Sequence, residues 1–160
     1  MRGPNIYFDI KNPVFTAYVV AAAIMVLKLM VQGAMTVAQM IGSDGGLLNP
    51  EDLKPGPANR NPRPDQLSAN ESVERARRIH RNDLENIPAF FAVGLLFVAV
   101  GPPLTIARLL FGTFVAARLA HTVAYATRQR HEVRALFYSI GALVIIIMAI
   151  YVLVRVLMVR

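Results

Sequence analysis

The sequence predicts an all-helical integral membrane protein, a bundle of four transmembrane helices, and three observations carry that expectation. Hydrophobic residues make up 55% of the 160 and mean hydropathy is +0.45, a balance that suits a small membrane protein better than a soluble basic domain. Four stretches approach the roughly 20 helical residues needed to cross a hydrocarbon core about 30 Å thick. The proline, glycine and most of the charge gather between those stretches or at their ends. The whole chain, 1–160, is expected to form a single membrane domain.

The first helix is expected over 14–41, starting after Pro13 and carrying Lys28 as its only charge. An unpaired ammonium at that depth is costly, so Lys28 is expected to face the bundle and pair with a carboxylate of the second helix, Asp83 first. The plainer alternative is a snorkelling lysine. Arg2 and Lys11 flank Asp9 ahead of this run and no small-residue cleavage site follows it, so the run reads as a retained span rather than a signal peptide. Residues 42–70 hold five of the ten prolines and four glycines, which predicts an extramembrane loop with little regular structure.

The second helix is expected over 72–100, capped by Asn70 or Ser72, with Glu71 and Glu74 at the positive end of its dipole. Pro88 falls inside it and should kink it or free a carbonyl near Leu84. After the uncharged turn "GPPL", the third helix is expected over 104–127. "RQRHEV" then leads to the fourth over 134–158. Ten basic residues lie on the side of the long loop and the turn between the third and fourth helices, against five on the other, which predicts that this polar half faces the cytoplasm.

A net charge of +7 invites a nucleic-acid reading, but the arginines sit within or beside apolar runs and no basic and aromatic pattern recurs. With no cysteine, disulfides, thiolate metal sites and cysteine catalysis are excluded. His80, His121 and His131 lack a paired spacing and lie among cations, so no metal site is expected.

The chemistry concentrates on three helices. Glu74, Arg78, Arg81, Asn82 and Glu85 share one face of the second helix. Surface ion pairing of Glu74 with Arg78 and Arg81 with Glu85 would explain such a cluster in a soluble helix. Here it continues directly into lipid-depth sequence, where ionisable groups are costly and usually functional. Arg118, His121, Thr122 and Tyr125 form a polar stripe on the third helix, and Arg134 and Tyr138 lie one turn apart on the fourth. A satisfied histidine, interfacial tyrosines and a snorkelling arginine are the bland alternatives. Together these residues suit a small ligand with carboxylates for the arginines and an amine for Glu85, such as the short peptide glutathione.

"VERARRIHRNDLENIPAF" with "ARLAHTVAY" and the following arginine and tyrosine, together with "NPEDL" in the first loop, resembles the membrane-associated proteins in eicosanoid and glutathione metabolism (the MAPEG family). The likeness is to the branch of microsomal glutathione transferases and prostaglandin E synthases, and it runs from the first helix to the fourth. It implies a homotrimer with glutathione bound between subunits near the cytoplasmic face of a bacterial inner membrane or the endoplasmic reticulum. Arg78, Arg81, Asn82 and Glu85 would then hold the peptide with Arg118, His121, Tyr125 and Tyr138, and Arg134 would be catalytic, beside the sulfur. The implied activity is transfer of glutathione to lipophilic electrophiles, with glutathione peroxidase action on lipid hydroperoxides. Alternatives are a prostaglandin E synthase-type isomerase and a non-catalytic lipid-binding accessory protein. Ala135, where the synthases carry serine, and "AQMIGSDGG", which lacks their basic residue near the end of the first helix, favour the transferase.

Overall fold

The computed structural model describes residues 6–57 and 59–158; Arg2 and Arg160, counted in the charge comparison, lie outside them. Every long element among these residues is helical: α1 (Pro13–Ser43), α2 (Glu71–Ala99), α3 (Leu104–Ala126) and α4 (His131–Met158). All four helices are long and apolar enough to cross a membrane. At 31 and 29 residues, α1 and α2 run about 46 and 43 Å, well beyond the hydrocarbon thickness.

The helix ends follow local chemistry. Pro13 occupies the first helical position of α1, where its missing N–H costs nothing, and the side chain of Asn12 accepts the Val14 amide at 2.9 Å. At α2 the cap is Asn70, whose Oδ1 accepts the amides of Ser72 and Val73 at 3.0 and 3.4 Å. The helix passes through Pro88 without a break. Helix α4 begins at His131 rather than 134, with Glu132 in its first turn facing the positive end of the dipole. Helices α1 and α3 close alike, with a left-handed Asp44 (φ 45°) and Arg128 (φ 57°). The amides of Gly45 and Gln129 reach back five residues to the carbonyls of Met40 and Ala124, the Schellman arrangement usually built on glycine.

The chain divides into two compact units. The larger combines the chain up to Lys28 with the chain from Asn82. Its core at the end away from the α3–α4 turn is aromatic: Phe90 stacks on Phe114 with centroids 4.1 Å apart, Phe111 meets Phe90 and Phe97 edge-on, and Tyr151 meets Phe97 at 5.0 Å. Lipid tails are as apolar as these side chains, so close packing rather than expulsion of water holds them. Gly94 permits the closest approach, since a Cβ there would come within 2.7 Å of the Tyr18 ring. Tyr18 also donates to the Phe91 carbonyl at 2.8 Å. Leucine, isoleucine and valine side chains cover the outward faces of α1 and α4, the inverse of a water-soluble surface.

The smaller unit, Leu29–Arg81, contains the loop, which has little regular structure, as expected, but is held by specific bonds. Short 3-10 turns form at Pro50–Leu53 and Pro64–Leu67, and buried Gln66 ties the segment together. Its amide donates to Asp44 at 2.8 Å, and its carbonyl oxygen accepts from Asn59 and from the Arg63 backbone at 2.8 and 3.0 Å. Gly46, at φ 73°, lies so close to Val73 that a Cβ would meet it at 2.9 Å, and Arg77 donates to the Gly46 carbonyl at 2.6 Å. A segment rich in turn residues is therefore fixed by side-chain bonds that its composition does not reveal.

The clasp is charged as well as bonded. Hydrogen bonds from Arg63 and then Gln66 hold the Asp44 carboxyl below its ordinary range. A depressed carboxylate stabilises above its unfolded value and loses that contribution as pH falls through the lowered one. Hydrogen exchange at the Leu47 amide, which bonds to the Gln66 carbonyl at 2.9 Å, should therefore lose protection on acidification below the usual carboxylate range, after correction for intrinsic exchange. Asp44→Asn should abolish that pH dependence. Equal pH dependence in both proteins would show that the Asp44 charge does not secure the loop.

Candidate active site

Ionisable groups inside the larger unit converge on Asp83. This fully buried carboxylate on α2 pairs through Oδ2 with Lys28 of α1, and through Oδ1 with Arg118 of α3 at 2.6 and 3.2 Å. The pairing expected for Lys28 is formed. Arg118 is the addition: it is fully buried and gives two N–H groups to Asp83, while its Nη1 has no bonding partner among the described residues. Room for its stem comes from α4, where a Cβ on Gly141 would lie 3.3 Å from Arg118 Cδ. Two cations on one carboxylate leave an excess positive charge.

From this depth the polar residues open gradually toward the α3–α4 turn. His121, one turn beyond Arg118, is 1% exposed, and its ring lies 5.0 Å from Tyr125 and 6.2 Å from Tyr138. Tyr125 and Tyr138 are half-buried. Asn82 donates to the Tyr125 hydroxyl at 3.2 Å, and the Tyr138 hydroxyl donates to Glu85 at 3.1 Å. Glu85 is exposed and only one of its oxygens takes that bond. Arg134 stands over the Tyr125 ring, Cζ 4.6 Å from the centroid, with its buried Nε unpartnered among the described residues.

Six of the residues singled out in the sequence thus form one connected cluster: Asn82 and Glu85, buried His121 and Tyr125, Arg134 and Tyr138. Arg118 lies beneath them, 5.8 Å from the Tyr138 ring. Arg78 and Arg81 belong to the smaller unit. There Arg78 and Arg75 share Glu71, at 2.8 and 2.7 Å, and exposed Arg81 makes no ion pair among the described residues. The simple surface pairing drawn from sequence does not form. Glu74 pairs with Arg77, which also reaches the Gly46 carbonyl, and Glu85 bonds to Tyr138. Sequence reasoning missed that Asp83 serves two cations. The signal was there, since Arg118 lies at lipid depth and also needs a carboxylate.

Chemically, this is an aromatic-walled surface with cationic potential behind it, an unspent guanidinium above it and an open carboxylate at its rim. Negative charge developing over that surface is stabilised in a low dielectric, and a cationic group is drawn to Glu85.

Four spanning helices with a polar site near one end of the bundle define a multi-pass integral membrane protein with binding chemistry close to its surface. The chain belongs to the MAPEG family, whose model matches residues 18–154. It is 39% identical over 131 residues to microsomal glutathione S-transferase 1 of Sus scrofa, an alignment spanning 82% of this chain and 83% of that protein. The Homo sapiens protein of the same name is 37% identical over 130 residues, with 81% and 83% covered. Prostaglandin E synthase of Homo sapiens is 32% identical over 132 residues, with 82% and 83% covered.

The triad predicts an order of stability effects. Asp83→Asn strands two buried cations and should cost about 3 to 5 kcal/mol. Lys28→Met leaves a neutral Asp83–Arg118 pair and should cost distinctly less. Thermal unfolding in detergent compares the two. A Lys28→Met protein as unstable as Asp83→Asn would show that Asp83 is not the shared partner on which stability turns.

Proposed function

We propose that this chain is a membrane-bound glutathione transferase, in which Glu85 holds the amino group of the peptide and Arg134 stabilises its thiolate for attack on lipophilic electrophiles. One observation carries the reading: a single chain of contacts through Tyr138, His121 and Tyr125 joins Glu85, with an oxygen to spare, to Arg134, whose buried Nε has no partner among the described residues. The residues fit the peptide, because an ammonium seeks a carboxylate and a guanidinium beside a thiol favours the nucleophilic thiolate. Asn82, His121, Tyr125 and Tyr138 supply hydrogen bonds and a wall for the peptide, and Arg118 supports them with charge from below. Arg81, and Arg78 behind its pair with Glu71, remain proposed ligand groups on the family resemblance alone. The relatives named for glutathione S-transferase activity support the reaction class, and peroxidase action on lipid hydroperoxides would use the same thiolate.

A homotrimer is part of the proposal. On α2, Leu84, Glu85, Pro88, Ala89, Ala92, Leu95, Leu96 and Ala99 form an exposed stripe. A carboxylate at the head of a stripe that includes the small residues Ala89, Ala92 and Ala99 is poorly suited to face lipid and well suited to a neighbouring helix. The excess of basic residues at this end of the bundle supports a cytoplasmic orientation, at a bacterial inner membrane or the endoplasmic reticulum, with the whole chain serving as one membrane domain.

Purified protein should conjugate glutathione to a chromogenic electrophile. Turnover confined to an endoperoxide would favour the isomerase instead, and inactivity on electrophile, hydroperoxide and endoperoxide would favour the accessory protein. Glu85→Gln should weaken glutathione binding by about thirtyfold or more, roughly 2 to 5 kcal/mol for a charged ligand group left unpaired. Unchanged calorimetric affinity would take Glu85 out of the site. Arg134→Leu should lower kcat more than affinity and raise the pKa of the bound thiol, since thiolate charge is needed for attack and little developed in the bound thiol. If Arg134 only anchors α4 at the headgroups, both the thiolate absorbance and the conjugation rate will be unaltered.

A further inference from the structure

A groove of about 720 Å³ runs along the larger unit between the beginning of α1 and the beginning of α3, away from the candidate active site. Phe111 forms its floor and is 2% exposed. Ala17, Ala21, Gly112 and Ala116 keep it open, and a Cβ built on Gly112 would meet nothing within 4 Å. At one end stand Lys11 and Arg108, both exposed, and neither side chain makes an ion pair among the described residues. Asp9, the nearby carboxylate, accepts the backbone amide of Lys11 at 2.9 Å.

The dimensions say what fits. From Arg108 to Leu119, the α3 side of the groove is twelve residues, about 16 Å from first to last, close to half of a hydrocarbon core about 30 Å thick. A channel of one-leaflet depth, apolar along its length and cationic at its outer end, complements an acyl chain below an anionic headgroup. The two cations also lie on the side of the bundle with fewer basic residues, so the positive-inside bias does not account for them. We propose that this groove holds an acyl chain of an anionic phospholipid from the leaflet opposite the candidate active site, with Lys11 and Arg108 on its phosphate.

The test uses the intact protein in detergent, with native mass spectrometry after addition of phosphatidylglycerol or phosphatidylcholine of matched chains. Wild type should retain phosphatidylglycerol preferentially. A lysine or arginine near the headgroups is worth about fivefold in anionic lipid binding, so Lys11→Ala with Arg108→Ala should reduce that retention about twenty-fivefold and leave phosphatidylcholine unchanged. Gly112→Leu keeps both cations but fills the groove, and should reduce retention of both lipids. All variants should keep wild-type helicity and glutathione conjugation, because none touches the surface around Arg134. Equal retention of the two phospholipids by wild type would overturn the proposal. So would retention of a free fatty acid in place of phosphatidylglycerol, or a Gly112→Leu protein that changes its subunit number while its lipid retention stays the same, which would place a second copy of the chain over this face.

Discussion

The architecture of the larger unit depends on the bonds that Asp83 makes to Lys28 and Arg118. Three ionised groups buried together at membrane depth would be prohibitive unless each found a partner, and the arrangement that serves both cations here brings α1 and α3 to the same carboxylate on α2. That requirement fixes rotation as well as proximity. Once Asp83 points inward, Asn82 must turn toward Tyr125 and Glu85 toward Tyr138, and once Arg118 points at Asp83, His121 and Tyr125 follow on the same face of α3. The candidate site inherits its geometry from a triad that need not touch a ligand.

The triad also sets the charge of the site. Two cations on one carboxylate would be a poor solution if stability alone mattered, because a buried neutral pair, or none, costs less desolvation. The surplus charge lies below His121 and the tyrosines, and Arg134 adds a second cation from above. On the proposed reading this is an environment in which a thiol gives up its proton more readily than in water. Glu85 at the exposed rim offsets that potential only where an amino group would bind.

Much of this was legible in the sequence, for a simple reason. Spans are long and apolar, so the four helices announce themselves, and a charge at lipid depth such as Lys28 must find a carboxylate. The polar stripes on α2, α3 and α4 could be read from helical spacing, and Asn82, Glu85, His121, Tyr125, Arg134 and Tyr138 do meet. What escaped was pairing that depends on rotation between helices or on long-range bonds. Spacing along α2 matched Arg81 with Glu85, but Tyr138 of another helix takes that carboxylate. Arg118 read as a pocket residue because nothing local shows that Asp83 can serve two partners. The bonds that fix the loop could not be foreseen, because those of Gln66 to Asp44 and Asn59 cross gaps of 22 and 7 residues, where composition carries no information.

The placement of the site answers a transport problem on the proposed reading. Glutathione arrives from water and its electrophile from lipid, so a site deep in the bundle would exclude the first and one beyond the headgroups would exclude the second. The gradient seen here, from a fully buried Arg118 through half-buried Tyr125 and Tyr138 to an exposed Glu85, keeps the peptide-binding carboxylate accessible while the charge that favours thiolate stays in a low dielectric. A nucleophile held along that gradient can meet a lipid-soluble partner without either reactant leaving its own solvent.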